Sequence, residues 1–201
     1  MTADNKKTIG KQKQFIRLLI SYNDFENAYD IASIILDGNY HDQIEKLEGK
    51  KMKILRTNLR ALNCAMIIAY NRPFSGNDKS NKNPIPDLPK GVLKVFNENE
   101  RLLHSSLIDN RNKIIAHSDS DAIDMEPYYI QVDETKIDLL IPLQNNTNAI
   151  YSLGAVEEIK AMCEKLMVEV VNRKFKLEEE LQDIIPIKIY GKDEFDFPFN
   201  Q

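Results

Sequence analysis

The stretch NENERLLHSSLIDNRNKIIAHSD, Asn97–Asp119, decides how the chain folds. On a helix advancing about 100° per residue, Leu103, Leu107, Asn110 and Ile114 fall within one sector of roughly 60°. The spacing therefore predicts a helix from about Asn97 to His117 with one face turned to a core, and such a face needs other helices to cover it. Its final turns are polar. Asn110, Arg111, Asn112, Lys113 and His117 crowd the end of an otherwise apolar segment, which makes that end the candidate site.

Suitable partner helices lie on both sides of it. Phe15, Leu18, Leu19 and Tyr22 recur at helical spacing near residues 11–22, and Phe25, Ala28, Tyr29, Ala32, Ile35 and Leu36 repeat the pattern over 25–36. Asp37-Gly38-Asn39 is expected to stop that helix. A third should run from about Asp42 to Tyr70, burying Ile44, Leu47, Lys51, Ile54, Leu55, Leu59, Leu62 and Met66. The segment Arg72–Gly91, with four prolines and two glycines, reads as a long surface loop. Tyr128, Ile130 and Val132, then Ile137, Leu139 and Ile141, alternate with polar residues around Asp133-Glu134-Thr135, the pattern of a β-hairpin over about 127–142. The last helix is expected from Ser152 to about Leu181, with Val156, Ile159, Met162, Cys163, Leu166, Val170 and Phe175 on its apolar side. The expected architecture is thus mainly α: one helical domain over residues 1–182 with a hairpin inserted before its last long helix. Residues 183–201 form an acidic tail in which Phe195, Phe197 and Phe199 alternate, suited either to docking on the body or to clasping a second chain.

Composition narrows the functional classes. In 201 residues, 42% are hydrophobic, enough for one good core. A formal net charge of -4 means that any polyanion partner must meet a local basic patch. Lys46, Lys50, Lys51, Lys53, Arg56 and Arg60 supply one, opposed in that window only by Glu48, and Lys79, Lys82 and Lys90 beside Arg72 could extend it. The plain alternative is a solvated helix face. Cys64 and Cys163 sit singly in apolar helical patterns, as small buried side chains do. The N-terminus lacks the apolar stretch of a secretory signal, and the longest apolar run, Ala61–Tyr70, is far short of the ~20 residues of a membrane span. A cytoplasmic protein is expected. No glycine-rich phosphate loop, paired metal-spaced histidines, Cys-x-x-Cys or nucleophile elbow occurs, so no cofactor or metal is expected.

The polar end has its own geometry. Arg111 and His117 project roughly 120° apart on a straight helix, one on each flank of the buried stripe. A site using both needs a bent helix end, a long reach by the arginine, or one residue from a second subunit. Lys113 shares a face with His117 and would disfavour its protonated form, so the imidazole is suited to act as a base. Arginine offers a permanently charged fork for phosphate oxygens. The pair suits phosphoryl chemistry at RNA, whose neighbouring 2′-hydroxyl is an internal nucleophile. The plain alternative is a histidine placed by the helix dipole and an arginine paired with Asp109 or Glu100 on the surface. His41 reads as background, and His104, in one sector with Arg101 and Arg111, is the reserve candidate.

The segment Arg111-Asn112-Lys113-Ile114-Ile115-Ala116-His117 resembles the signature of the HEPN superfamily, an arginine and polar residue followed by a histidine near the end of a core helix. The flanking AH-S-D and the upstream RPF with its proline-rich loop are similar to the abortive-infection branch. The likeness covers the helical body, about two thirds of the chain. It implies an antiparallel helical bundle that dimerises with two motifs across one cleft and, in active members, metal-independent ribonuclease activity. Carried to this chain, Arg111 contacts the scissile phosphate, His117 transfers protons, and Asn112 supports them beside Lys113 and Asn110, with Lys50, Lys53, Arg56 and Arg60 guiding RNA. Five residues separate the arginine from the histidine, where four is commonest in the best-known ribonucleases of the superfamily. The expected partners are RNA, a second copy of the chain, and an antitoxin or other defence component. The alternative is a catalytically silent member that binds RNA, a nucleotide or a protein as an adaptor.

Overall fold

The structure, a computed structural model, describes residues 3–74, 85–111, 125–131, 138–144 and 150–182, the two strands as backbone only. It is mainly helical. The elements in order are α1 (Ala3–Asp37), α2 (Tyr40–Lys46), α3 (Gly49–Asn71), α4 (Glu98–Asn110), β1 (Met125–Gln131), β2 (Asp138–Gln144) and α5 (Leu153–Leu181), with short 3-10 helices at Arg72–Phe74 and Lys90–Val95. The strands pair antiparallel from Met125 opposite Gln144 to Gln131 opposite Asp138. The expected turn of Asp133-Glu134-Thr135 and the tail from 183 lie outside the described residues.

The two helices expected over 11–22 and 25–36 are one continuous helix. Asn23-Asp24 does not interrupt it, since neither residue breaks a helix as proline or glycine does. Asp24 is instead drawn into the core side, where Arg72 approaches it at 3.6 Å. α1 ends as expected at Asp37, but the left-handed residue is Asn39 (φ 49°) rather than Gly38. Gly38 is required for space: a Cβ there would collide with the Tyr40 ring and lie 2.8 Å from the carbonyl oxygen of Ile34.

The third expected helix is two. Leu47 and Glu48 are extended, and Gly49, at φ 61°, lets α3 start in a new direction. The uninterrupted apolar spacing hid this break. It also misplaced the buried side: Lys51 and Ile54 are exposed, and burial on α3 starts at Leu59. The N-terminal half of α3 therefore stands clear of the core.

The core forms where α1, α3 and α5 meet, around Phe25, Leu59, Met66, Tyr70, Ile159, Met162 and Leu166. α1 and α5 run antiparallel, tied by Lys11 to Glu180 (2.6 Å) at one end and by the Lys160 ammonium over the Tyr29 ring at the other. Leu177 and Leu181 close the far end, whereas Phe175, expected inside, is 55% exposed beneath the Lys174 ammonium. The expected surface loop ends early. Leu88, Val92 and Phe96 are buried, Leu88 N–H donates to the Pro73 carbonyl (2.8 Å), and Arg17 Nε donates to that of Pro86 (2.6 Å). Arg72 thus pins the chain through Asp24.

α4 opens on a capping box: Asn97 Oδ1 accepts from Glu100 N–H and Glu100 Oε2 from Asn97 N–H, both at 2.9 Å. Burial pushes the Glu100 carboxyl up, but the Lys165 ammonium at 2.5 Å and the Asn97 N–H outweigh it and leave it below the usual range. Ser152 caps α5, its Oγ accepting from Ala155 N–H at 3.3 Å. Among the described residues, no helix is long and apolar enough to cross a membrane.

Candidate functional site

Arg111 follows directly on α4, in helical conformation (φ −60°, ψ −45°) and half-buried, its N–H directed at the carbonyls of Leu107 and Ile108. Asn112, Lys113 and His117 lie outside the described residues. The end of α4 is held from behind. Leu107, fully buried, anchors it in the core, and Asn71 Nδ2 donates to the Leu107 carbonyl at 3.0 Å. Asn110, placed in the stripe by its spacing, is half-buried and engaged by a polar partner. Its amide donates to the Tyr151 hydroxyl, which Ser106 also hydrogen-bonds. Burial pushes the Tyr151 phenol above its ordinary value, and the two hydrogen bonds oppose that shift.

Tyr151 is the junction of this region. Its N–H donates to Asn63 Oδ1 of α3 at 3.4 Å, and its carbonyl lies 2.8 Å from His41 Nε2 of α2. A carbonyl can only accept, so His41 carries its proton on Nε2. One residue ahead of α5 thereby ties α2, α3 and α4 to the turn that presents Arg111. His41, read from the sequence as background, belongs to this junction, as do Asn63 and Tyr151.

The basic residues of α3 extend from the same junction. Lys53, Arg56 and Arg60 occupy a helical sector of about 60°, and Lys50 lies about 60° beyond its Lys53 edge. Asn71 falls in that sector and Asn63 about 20° beside it, and these are the residues with which α3 hydrogen-bonds Leu107 of α4 and Tyr151. Where α3 leaves the core the sector becomes cationic: Lys50, Lys53 and Arg56 are exposed, and Arg60, half-buried, brings its Nε out of solvent one turn from Asn63. Positive charge thus approaches the Arg111 turn along one helix face. Arg72 is not part of it, being paired with Asp24 at the other end of α3.

His104 has a different role from the one its sector suggests. Its ring packs edge-on to Phe74 (4.7 Å between centroids) and beside Tyr70 and Phe96, with Nδ1 3.0 Å from the Tyr70 hydroxyl. Burial pulls its pKa down to about 4. It is a neutral core imidazole at pH 7. Glu100, which could have paired with Arg111, is taken by Lys165. Among the described residues, no group of three His, Cys, Asp or Glu is placed to hold a metal ion.

Set against protein-family models, curated proteins and solved structures, the chain matches none of them.

Proposed function

We propose that the chain is a HEPN-type ribonuclease that cleaves RNA by attack of the 2′-hydroxyl on the adjacent phosphorus, at a site composed from two copies, in a toxin or phage-defence setting. In this reading Arg111 binds the phosphate, where its fork matches two non-bridging oxygens. His117 takes the 2′-hydroxyl proton or gives one to the departing 5′-oxygen, and Asn112 supports the pair. The products are a 2′,3′-cyclic phosphate and a 5′-hydroxyl. The observation that carries the reading is the placement of Arg111: it ends a helix braced by Asn110 and Tyr151, at the foot of the cationic strip of α3. Phosphate chemistry needs this combination of a fixed cation and an approach path for a polyanion.

The test is purified protein with total RNA in EDTA. Cleavage is expected to survive chelation, to leave 2′,3′-cyclic phosphate ends, and to fall at least about 100-fold in Arg111→Ala and in His117→Ala, the scale of losing a positioned charge or proton-transfer group. Arg111→Lys should not restore it, since the ammonium lacks the fork. RNA binding without cleavage in the wild type would instead assign the chain to the silent, adaptor-type members.

A further inference from the structure

The seam along which α5 lies against α1 is grooved. Leu18 and Val170, both buried, form the floor of a groove of about 440 Å³, with Leu19 and Tyr22 of α1 on one wall and Val171 and Lys174 of α5 on the other. One helical turn further along the walls the apolar surface continues, with Ile16 44% exposed, Val168 61% and Phe175 55%. Nothing covers it among the described residues, and a contiguous apolar patch of this kind marks a surface that something occupies.

The chain itself runs on from the end of this seam. α5 closes at Leu181, and Val171 lies ten residues back, about 15 Å along the helix axis. Residues 183–201, outside the described residues, supply nineteen residues of further chain, with Phe195 thirteen positions beyond Gln182. At only half the extended length of ~3.3 Å per residue, thirteen residues reach about 20 Å, so this segment has the length to turn at Pro186 or Gly191 and return along the seam. We infer that the C-terminal tail folds back on its own chain and seats Phe195, Phe197 and Phe199 in the groove between α1 and α5. In an extended segment these three rings face one way and Glu194 and Asp196 the other. Phe195 and Phe199 then stand ~13 Å apart, close to the about 10 Å that separates Val168 from Phe175 along α5. The walls are helices whose backbone groups already bond within the helix, so side chains alone make the seat and Pro198 forfeits nothing by lacking an N–H. Charge agrees with this occupant. Lys174 alone is charged among the described residues that line the groove, whereas Asp193, Glu194 and Asp196 make the tail acidic. Its partner Glu178, at 3.3 Å and 52% exposed, forms a surface ion pair of the weak kind that leaves the ammonium open to a second carboxylate.

Tethering favours the chain's own tail over any other occupant. A segment joined by a short flexible stretch meets its groove at an effective concentration in the millimolar range, far above that of a second molecule. The seat also accounts for Phe175, which the spacing of α5 places on its apolar side and which has only the Lys174 ammonium over its ring. The inference does not rest on the ribonuclease reading.

The sequence contains no tryptophan, so Phe197→Trp places a single indole reporter in the full chain. Its emission should lie to the blue of an indole in water, and acrylamide should quench it at least about threefold less than in the denatured chain, as burial of the ring between two helices requires. Leu19→Asp and Phe175→Asp, each at an exposed wall position, should return the indole to full quenching, because the groove offers their carboxylates no partner. Ile34→Asp, exposed on α1 about 22 Å beyond Leu19, should leave it shielded. Helical circular dichroism should match the wild type throughout, and the shielding should be equal at about 1 µM and about 100 µM protein, since a tethered contact does not dilute. Phe195→Trp repeats the measurement at a second seat. An indole exposed at both positions, shielding indifferent to Leu19→Asp and Phe175→Asp, equal loss in Ile34→Asp, or loss on dilution, which would move the tail to a second copy, would each overturn the inference.

Discussion

Tyr151 shows why single residues of the candidate site escape a linear reading. Nothing in its local context separates it from any aromatic just ahead of a helix, yet its hydroxyl receives Asn110 and its backbone meets His41 and Asn63, residues 41, 110 and 88 positions away. Arg111 stands out as a candidate in the sequence because its chemistry and its neighbours lie within one short segment; the hydrogen bonds behind it do not, because they are assembled across the fold. His104 is the converse case. Its helical sector pointed to the site, whereas the aromatic cluster of Tyr70, Phe74 and Phe96 claims it for the core. The sign of its effect follows from a folded pKa of about 4 against 6.5 unperturbed. The unfolded chain takes up its proton first, so the stability His104 supports is complete above pH 6.5 and declines as the pH falls toward 4. The Tm of His104→Phe should therefore fall less than that of the wild type between pH 7 and 4.5; parallel profiles would show that the imidazole is not the responsible group.

Among the elements, α4 and α5 were the most legible. Each begins at a side chain that accepts a backbone N–H, Asn97 and Ser152, and each keeps one apolar stripe. Removing the Glu100 carboxylate deprives α4 of half its capping box and leaves Lys165 without its partner. Glu100→Ala should cost about 2 kcal/mol, a Tm drop of roughly 5 °C, since the capping interaction and a hydrogen-bonded ion pair go together while Lys165 can still turn to water. Thermal denaturation at pH 7 measures it, and a shift within about 1 °C would show that the box does little to hold α4 in place. α1 and α3 were less legible for one shared reason. Helical periodicity records where apolar residues recur but not whether the backbone between them stays helical. The apolar pattern resumes at Phe25 and reads as a second helix where α1 runs on unbroken, and unbroken spacing through Leu47 concealed a break that Glu48 and Gly49 impose.

At the scale of the whole molecule, the helical character was readable from composition and periodicity, while the projection of α3 beyond the core was not, since it depends on which half of that helix finds neighbours. The projection matters because the net charge of -4 gives the protein no general attraction for RNA. On the proposed reading, RNA binding depends on a few phosphates met along α3 and weakens with salt accordingly. For single-stranded RNA, the slope of log affinity against log salt concentration should shrink by about 0.7 for each phosphate that is no longer neutralised, so Lys53→Glu with Arg56→Glu should reduce it by roughly 1.4. Unchanged slopes, measured by fluorescence anisotropy from about 50 to about 300 mM salt, a range chosen to span physiological screening, would move the RNA path elsewhere.

Because α1 rests chiefly on α5, the chain cannot finish its core until α5 has been synthesised. α1 leaves the ribosome with its core face bare, and α3 follows early enough to shelter part of it. The rest of that face waits for α5, on the order of a hundred residues later, or roughly 5–20 s at ordinary elongation rates. Throughout that interval the nascent chain offers a long amphipathic surface to chaperones and to other nascent chains of the same polysome. A ribosome that stalls before α5 would release not a smaller folded protein but an aggregation-prone fragment, whose core face has nothing to close over it.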